Sequence, residues 1–319
     1  MESFLFQKSI ILNSNIEDRR INMKGYKALN MDMSSEYGDM VYEIGKKYTI
    51  TGELIICING FHFCKHLEDV ENHYEIVKSR IFEVEAEDKI ANAGNIFCAE
   101  SITLVRELSK EEIHQYFVDN QERILEKDWC CRKALADQGL CLDKLIYDKH
   151  PNVRIAVAEQ GYGLDISVHD EDAWVRVAVA EQGYGLNILF HDKSPLVRAS
   201  VARQNYGLDI LVNDKNYCVR ATVAKQDYGL DILVHDESCY VREEVAAQGY
   251  GLDILIKDKD PWIRAKIARQ GYGLDTLIKD EDYCVRAAVA KQGYGLDILV
   301  HDENPWVRNV ALNKLKALQ

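Results

Sequence analysis

Asp258-Lys259-Asp260-Pro261-Trp262-Ile263-Arg264-Ala265-Lys266-Ile267-Ala268-Arg269-Gln270-Gly271-Tyr272-Gly273-Leu274-Asp275-Thr276-Leu277-Ile278-Lys279 is a run of 22 residues, and at Asp280 its pattern begins again. Asp260 reads as a helix N-cap, its side chain taking up a first-turn N–H. Pro261 suits the first helical position, where a missing N–H costs nothing. All four prolines of the chain, Pro151, Pro195, Pro261 and Pro305, stand at this point of the pattern. Ile263, Ile267 and Ala268 form one apolar stripe on a helix of about three turns. Gly271 follows as the residue able to take the left-handed conformation that ends a helix. The segment from Leu274 to Asp280 is apolar enough for a second, shorter helix. Two such helices cannot bury their faces alone, so neighbouring units must stack.

The period extends through most of the chain. Arginine recurs at Arg132, Arg154, Arg176, Arg198, Arg220, Arg242, Arg264, Arg286 and Arg308. Six residues before each stands an acid: Glu126, Asp148, Asp170, Asp192, Asp214, Asp236, Asp258, Asp280 and Asp302. The spacing predicts nine two-helix repeats over residues 126–319, the last truncated, preceded by an α+β domain over residues 1–125. The first repeat carries Leu140-Cys141 where later ones carry Tyr-Gly, as an end unit would.

The pattern of Asp302-Glu-Asn-Pro-Trp-Val-Arg-Asn-Val-Ala311 resembles HEAT-like repeats and the leucine-rich-repeat variant. The resemblance covers residues 126–319. It implies a right-handed α-solenoid and a protein-binding scaffold. The variant family is associated with an iron–sulfur cluster near its N-terminal end. Here that edge holds only Cys130, Cys131 and Cys141, short of four cysteine ligands, and no cofactor or metal is expected.

The Asp/Arg pairs read as a structural ladder of charge-assisted hydrogen bonds between repeats, with Asp258 bracing a helix and Arg264 bridging to the next unit. Gln270 is expected to satisfy loop carbonyls, and Tyr272 to stack on its equivalents. Partner-binding candidates lie where repeats differ, in the two positions before Val-Arg: Trp174, Tyr217, Tyr240, Trp262, Tyr283 and Trp306, with Trp129 in the first unit. Half-buried packing at the helix start is the alternative. Cys218, Cys239 and Cys284 share these positions and read as small hydrophobes. His169, His191, His235 and His301 lie on separate repeats, too far apart for metal coordination between units.

The 319-residue chain has 39 basic and 52 acidic residues, a net charge of −13, and 47% hydrophobic residues. Non-specific nucleic-acid binding is therefore not expected, since phosphate neutralisation needs clustered Lys and Arg. No apolar run suggests a membrane helix, and the Met1-Glu2-Ser3-Phe4 start lacks a basic lead-in. The expectation is a cytoplasmic protein, its nine cysteines unpaired.

Residues 1–125 carry 14 basic against 22 acidic residues. Strands are expected at Gly25–Leu29, within Tyr48–Ile58, at Gly60–Cys64, Arg80–Glu87 and Ser101–Leu108. A helix is expected over roughly 66–76. Another, opened by the capping box Ser109-Lys-Glu-Glu112, runs towards Leu125 and docks on the first repeat. Gly25-Tyr-Lys-Ala28, Gly60-Phe-His-Phe-Cys64, Arg80-Ile-Phe-Glu-Val84 and Val105-Arg-Glu-Leu108 together resemble a small domain of unknown function from phage and prophage proteins. A second likeness is to ADP-ribosyltransferases. Gly60-Phe-His-Phe-Cys64 and Tyr74 are similar to their nicotinamide-cradling strand and helix, which would place His62 at the aromatic position. Glu100 or Glu107 would then be the acid, with Lys27 where that family uses Arg or His. A core strand with one polar side chain is the other reading.

The leading expectation is a non-enzymatic scaffold that binds a protein partner, a basic host defence protein that it inhibits or sequesters. The alternative is an ADP-ribosyltransferase-like domain targeted by the array. Self-association is a further expectation.

Overall fold

The computed structural model describes residues 15–17, 22–35, 40–56 and 58–318. The chain's first four residues lie outside these. The chain forms two compact units, Met1–Gly163 and Leu164–Gln319. The first therefore includes the opening repeat, which begins at residue 126, and the long helix Pro151–Glu159 of the second.

In the first unit, strands β1 (Asn15–Glu17), β2 (Met23–Leu29), β3 (Lys47–Thr49), β4 (Phe61–Cys64), β5 (Arg80–Ala93) and β6 (Ile96–Glu107) form one antiparallel sheet. β5 and β6 are a long hairpin turning at Gly94-Asn95. β2 pairs with β5, β4 with β6, and a single pairing, Tyr26 with Cys64, joins β2 to β4. The four strands thus close into a small barrel. Side chains alternate along each strand, so Leu29, Phe61, Phe63, Phe82, Val84, Ala86, Ile102 and Leu104 form one buried cluster.

The helix expected over roughly 66–76 is replaced by two short 3₁₀ segments, Leu67–Asn72 and Ile76–Lys78. Tertiary charge pairing overrides helical continuation here. The fully buried Glu68 is held by Arg123, by Lys127 at 3.0 Å and by the Tyr116 hydroxyl at 2.8 Å. Asp69 is held by Lys127 at 2.8 Å. Those partners come from helix α1 (Lys110–Leu125) or lie just after it. α1 opens with the Ser109–Glu112 capping box, in which each residue's side chain accepts from the other's N–H. Phe117 and Ile124 of α1 share a core with Cys131, Ala134 and Leu135 of α2 (Trp129–Asp137), so α1 packs on the first repeat.

In the second unit, each repeat before the last joins a long helix to a four-residue one. Long helices run from Ala173–Glu181 through Pro261–Arg269 to Pro305–Ala317, each packed on the next. Short ones run from Leu164–Ser167 to Leu296–Leu299. The long helices bury Val/Ile pairs such as Ile263 and Ile267, at 1% and 0% exposure, against short-helix leucines such as Leu277 at 1%. Each such side chain contributes about 1.5–3 kcal/mol. The short helix Leu274–Leu277 stops before Asp280, because the Asp280 carboxylate accepts the Asp282 N–H at 2.9 Å and starts a turn. Among the described residues no helix is long and apolar enough to cross a membrane.

Candidate interaction surface and head cavity

The ladder is a clamp with three bonds per arginine. In the second unit, Arg176, Arg198, Arg220, Arg242, Arg264 and Arg286 each donate Nε and Nη2 to both carboxylate oxygens of the aspartate sixteen residues on. These acceptors are Asp192, Asp214, Asp236, Asp258, Asp280 and Asp302, at 2.5–2.9 Å. Nη1 of the same arginine donates to the backbone carbonyl of its own repeat's aspartate, as Arg264 does to Asp258 at 2.7 Å. In the first unit Arg132 holds Asp148 in the same bidentate way, and Arg154 donates to the Asp148 carbonyl. Asp170 accepts the Asp172 N–H, and Arg308 donates to the carbonyls of Asp302 and Glu303.

Burial pushes the carboxyls of Asp192, Asp214, Asp236 and Asp258 upward. The arginine and a backbone N–H outweigh it, so each lies below the ordinary aspartate range. All ladder arginines from Arg132 to Arg286 are buried. The row therefore offers no guanidinium to a ligand; its geometry is that of an internal brace. Gln270 donates to the Ala246 carbonyl at 2.7 Å and Gln292 to the Arg269 carbonyl at 2.7 Å, tying one repeat to the preceding one.

The clamp and the caps fix where the aromatic row emerges. Asp172, Asn216, Asp260, Asp282 and Asn304 each accept an N–H from the second helical residue, so the first turn is rigidly set. From those capped turns project Trp174 (57% exposed), Tyr217 (43%), Trp262 (64%), Tyr283 (45%) and Trp306 (55%), and from the helix Cys239–Ala247, where Ser238 makes no side-chain cap, Tyr240 (60%). Tyr217 and Tyr240 stack with ring centroids 5.5 Å apart. Among the described residues the other four have no ring partner. In the first unit, Trp129 is only partly exposed and lies flat on His150, centroids 4.2 Å apart. Strongly exposed acids stand two or three residues before several members of the row: Glu237 before Tyr240, Glu281 before Tyr283, Glu303 before Trp306.

A second exposed row is one that sequence reasoning missed. The Tyr-Gly tyrosines were expected to stack on one another. Among the described residues no ring contact joins two of them, and Tyr184, Tyr228, Tyr250, Tyr272 and Tyr294 are 41–42% exposed. The short helix also turns its Asp-Ile pair outward: Ile210, Ile232, Ile254 and Ile298 are 44–59% exposed. Thr276 in place of isoleucine was the signal, since a polar residue in one repeat marks a position that the core does not need.

The cysteines near the start of the repeats are free. Cys131 is buried with Sγ 3.5 Å from the Glu68 carbonyl, and Cys141 Sγ lies 3.1 Å from Gln121 Oε1.

In the head, the barrel is closed at β2–β4 by one pairing only, and a cavity of about 30 Å³ lies at that seam. Lys27, His62, His73, Tyr74 and Cys64 line it. Lys27 Nζ donates to the His62 carbonyl at 2.9 Å and sits 5.3 Å from the centre of the Tyr42 ring. Burial pulls the Lys27 ammonium down to about 8. Burial, then the charges of Lys27 and His73, pull His62 down to about 4. Glu100 and Glu107 are not in the lining; Glu107 is bidentate with Arg80 at 2.9 and 2.6 Å. The cavity is an order of magnitude below the about 300–1,000 Å³ of pockets that hold drug-sized ligands.

A family model described as a domain of unknown function (DUF7666) matches residues 23–116, which span the four barrel strands and the start of α1. No curated protein matches the chain.

Proposed function

We propose that the protein is a non-enzymatic binding scaffold whose repeat array holds a protein partner, in the manner of HEAT-like and leucine-rich-repeat-variant arrays. The observation that carries this reading is the aromatic row. Tryptophan and tyrosine recur at the first turn of six of the seven long helices of the second unit, four of them at least 55% exposed. Large aromatic side chains left in water at equivalent helix starts are the anchors expected of an interface core. The net charge of −13 and the acids beside the row favour a basic partner. In a phage or prophage setting, in the cytoplasm of a host, such a scaffold would inhibit or sequester a host defence protein.

The test compares the intact chain with Trp174→Ala/Trp262→Ala/Trp306→Ala as bait for proteins of the natural host. The variant keeps the far-ultraviolet circular dichroism and melting midpoint of the parent but loses the captured protein. Equal capture by both would overturn the reading. A light-scattering mass of one chain would remove self-association.

A further inference from the structure

We propose that the β2–β4 seam of the barrel is a binding site for a small carboxylate, with the Lys27 ammonium as the counter-charge and His62 and His73 beside it. Lys27 is only 6% exposed. Among the described residues its one hydrogen bond is to a neutral carbonyl, and no carboxylate pairs with it. A buried ammonium without a counter-ion is costly, and buried charges in proteins are ordinarily paired.

The neighbouring groups are known element by element. β4 brings His62 and Cys64, β6 brings Cys98, and the Tyr42 ring lies against the ammonium. After the first 3₁₀ segment comes His73, which feels Asp69. Asp69 itself is engaged by Lys127. The lining thus holds three cation-capable side chains and no carboxylate, and the acids its residues feel from the first 3₁₀ segment, Glu68 and Asp69, are already paired with Arg123 and Lys127.

Size selects the ligand. A cavity of about 30 Å³ holds one or two waters or a single carboxylate group, and has no room for a nucleotide. Burial depresses both Lys27 and His62, and an anion between them would reverse that shift by favouring their charged forms. The partial pairing of β2 with β4 gives the entrance, because the two strands share one pairing and then part. This site is independent of the aromatic row.

The experiment titrates the full-length protein with sodium formate, acetate and phosphate at fixed ionic strength. It follows the melting midpoint and the reactivity of Lys27 towards reductive methylation, read by mass spectrometry. Formate or acetate should raise the midpoint saturably and protect Lys27, while phosphate does neither. Lys27→Met should abolish the formate response. Where that variant does not fold, His73→Gln should weaken protection of the intact Lys27 at least several-fold. A linear, unsaturable response, an equal effect of phosphate, or a formate response surviving in Lys27→Met would overturn the proposal. Failure here leaves the scaffold reading untouched, since that rests on partner capture by the array.

Discussion

Arg264 and Asp280 belong to adjacent repeats, and the guanidinium of one meets both carboxylate oxygens of the other at 2.7 Å. Both side chains are under a tenth exposed. The same aspartate accepts the Asp282 N–H, and the same arginine accounts for the Asp258 carbonyl. One pair thus fixes the start of a helix, the end of a turn and the spacing between two repeats.

Removing one partner leaves the other buried and unpaired. Arg264→Met should cost about 3 kcal/mol or more of array stability. Arg264→Met combined with Asp280→Leu should recover part of it. Urea unfolding followed by tryptophan fluorescence measures both. A single-variant loss below about 1 kcal/mol, the worth of a surface pair, would show that the clamp does not act as a buried brace.

The ladder also sets an acid limit. In the folded chain the carboxyls of Asp192, Asp214, Asp236 and Asp258 lie below the unfolded value of about 3.9. Below that value the unfolded chain binds more protons than the folded one, so stability falls as pH falls. The melting midpoint of the array should be insensitive to these groups above about pH 5 and drop steeply below about pH 4. A flat midpoint through pH 3 would contradict the pairing.

The head responds in a different window. His62 is held neutral down to about 4, while an unfolded histidine protonates near 6.5. Between these values the unfolded chain gains the proton first, so acidification destabilises the barrel, by at most about 3 kcal/mol. Hydrogen exchange of β4 and β6 amides should quicken from pH 6.5 to 4 after correction for intrinsic rates. His62→Phe should flatten that dependence.

Two glycines of one repeat separate strain from contact. Gly271 and Gly273 both have positive φ, +82° and +59°. A Cβ at Gly271 meets nothing within 4 Å, whereas one at Gly273 would lie 2.1 Å from Ile256 Cδ1. Gly271→Ala should therefore cost only the left-handed strain, about 1–2 kcal/mol, and Gly273→Ala clearly more. Thermal unfolding of the two variants gives the comparison. Asn205 and Asp227 already occupy the Gly271 position at φ +58° and +59°, as residues that tolerate this conformation.

The repeat was legible because one local solution is written many times, so cap, proline, stripe and glycine each recur at a fixed offset. The head was less so. The strand from Arg80 was read only to Glu87, because Asp88 takes φ +70° and a bulge interrupts the alternation before Ile90. Closure of the barrel depends on the single Tyr26–Cys64 pairing, a contact across nearly forty residues that no local pattern announces. The aromatic row was legible as a set of positions, but its exposure was not, because a tryptophan at a helix start serves core and surface equally. Lys27, His62 and Tyr74 were singled out from a strand motif and a likeness. Their meeting in one small cavity follows from the splay of two strands.

Every bond of the clamp links positions six or sixteen residues apart within a 22-residue period. Excising residues 236–257 would hand Arg220 the carboxylate of Asp258 in place of Asp236, with the helix stripe and the left-handed turns still in phase. Gene duplication or loss in whole periods can therefore change the chain's number of anchors without posing a new folding problem, while a single-codon slip would misalign each bond that spans it.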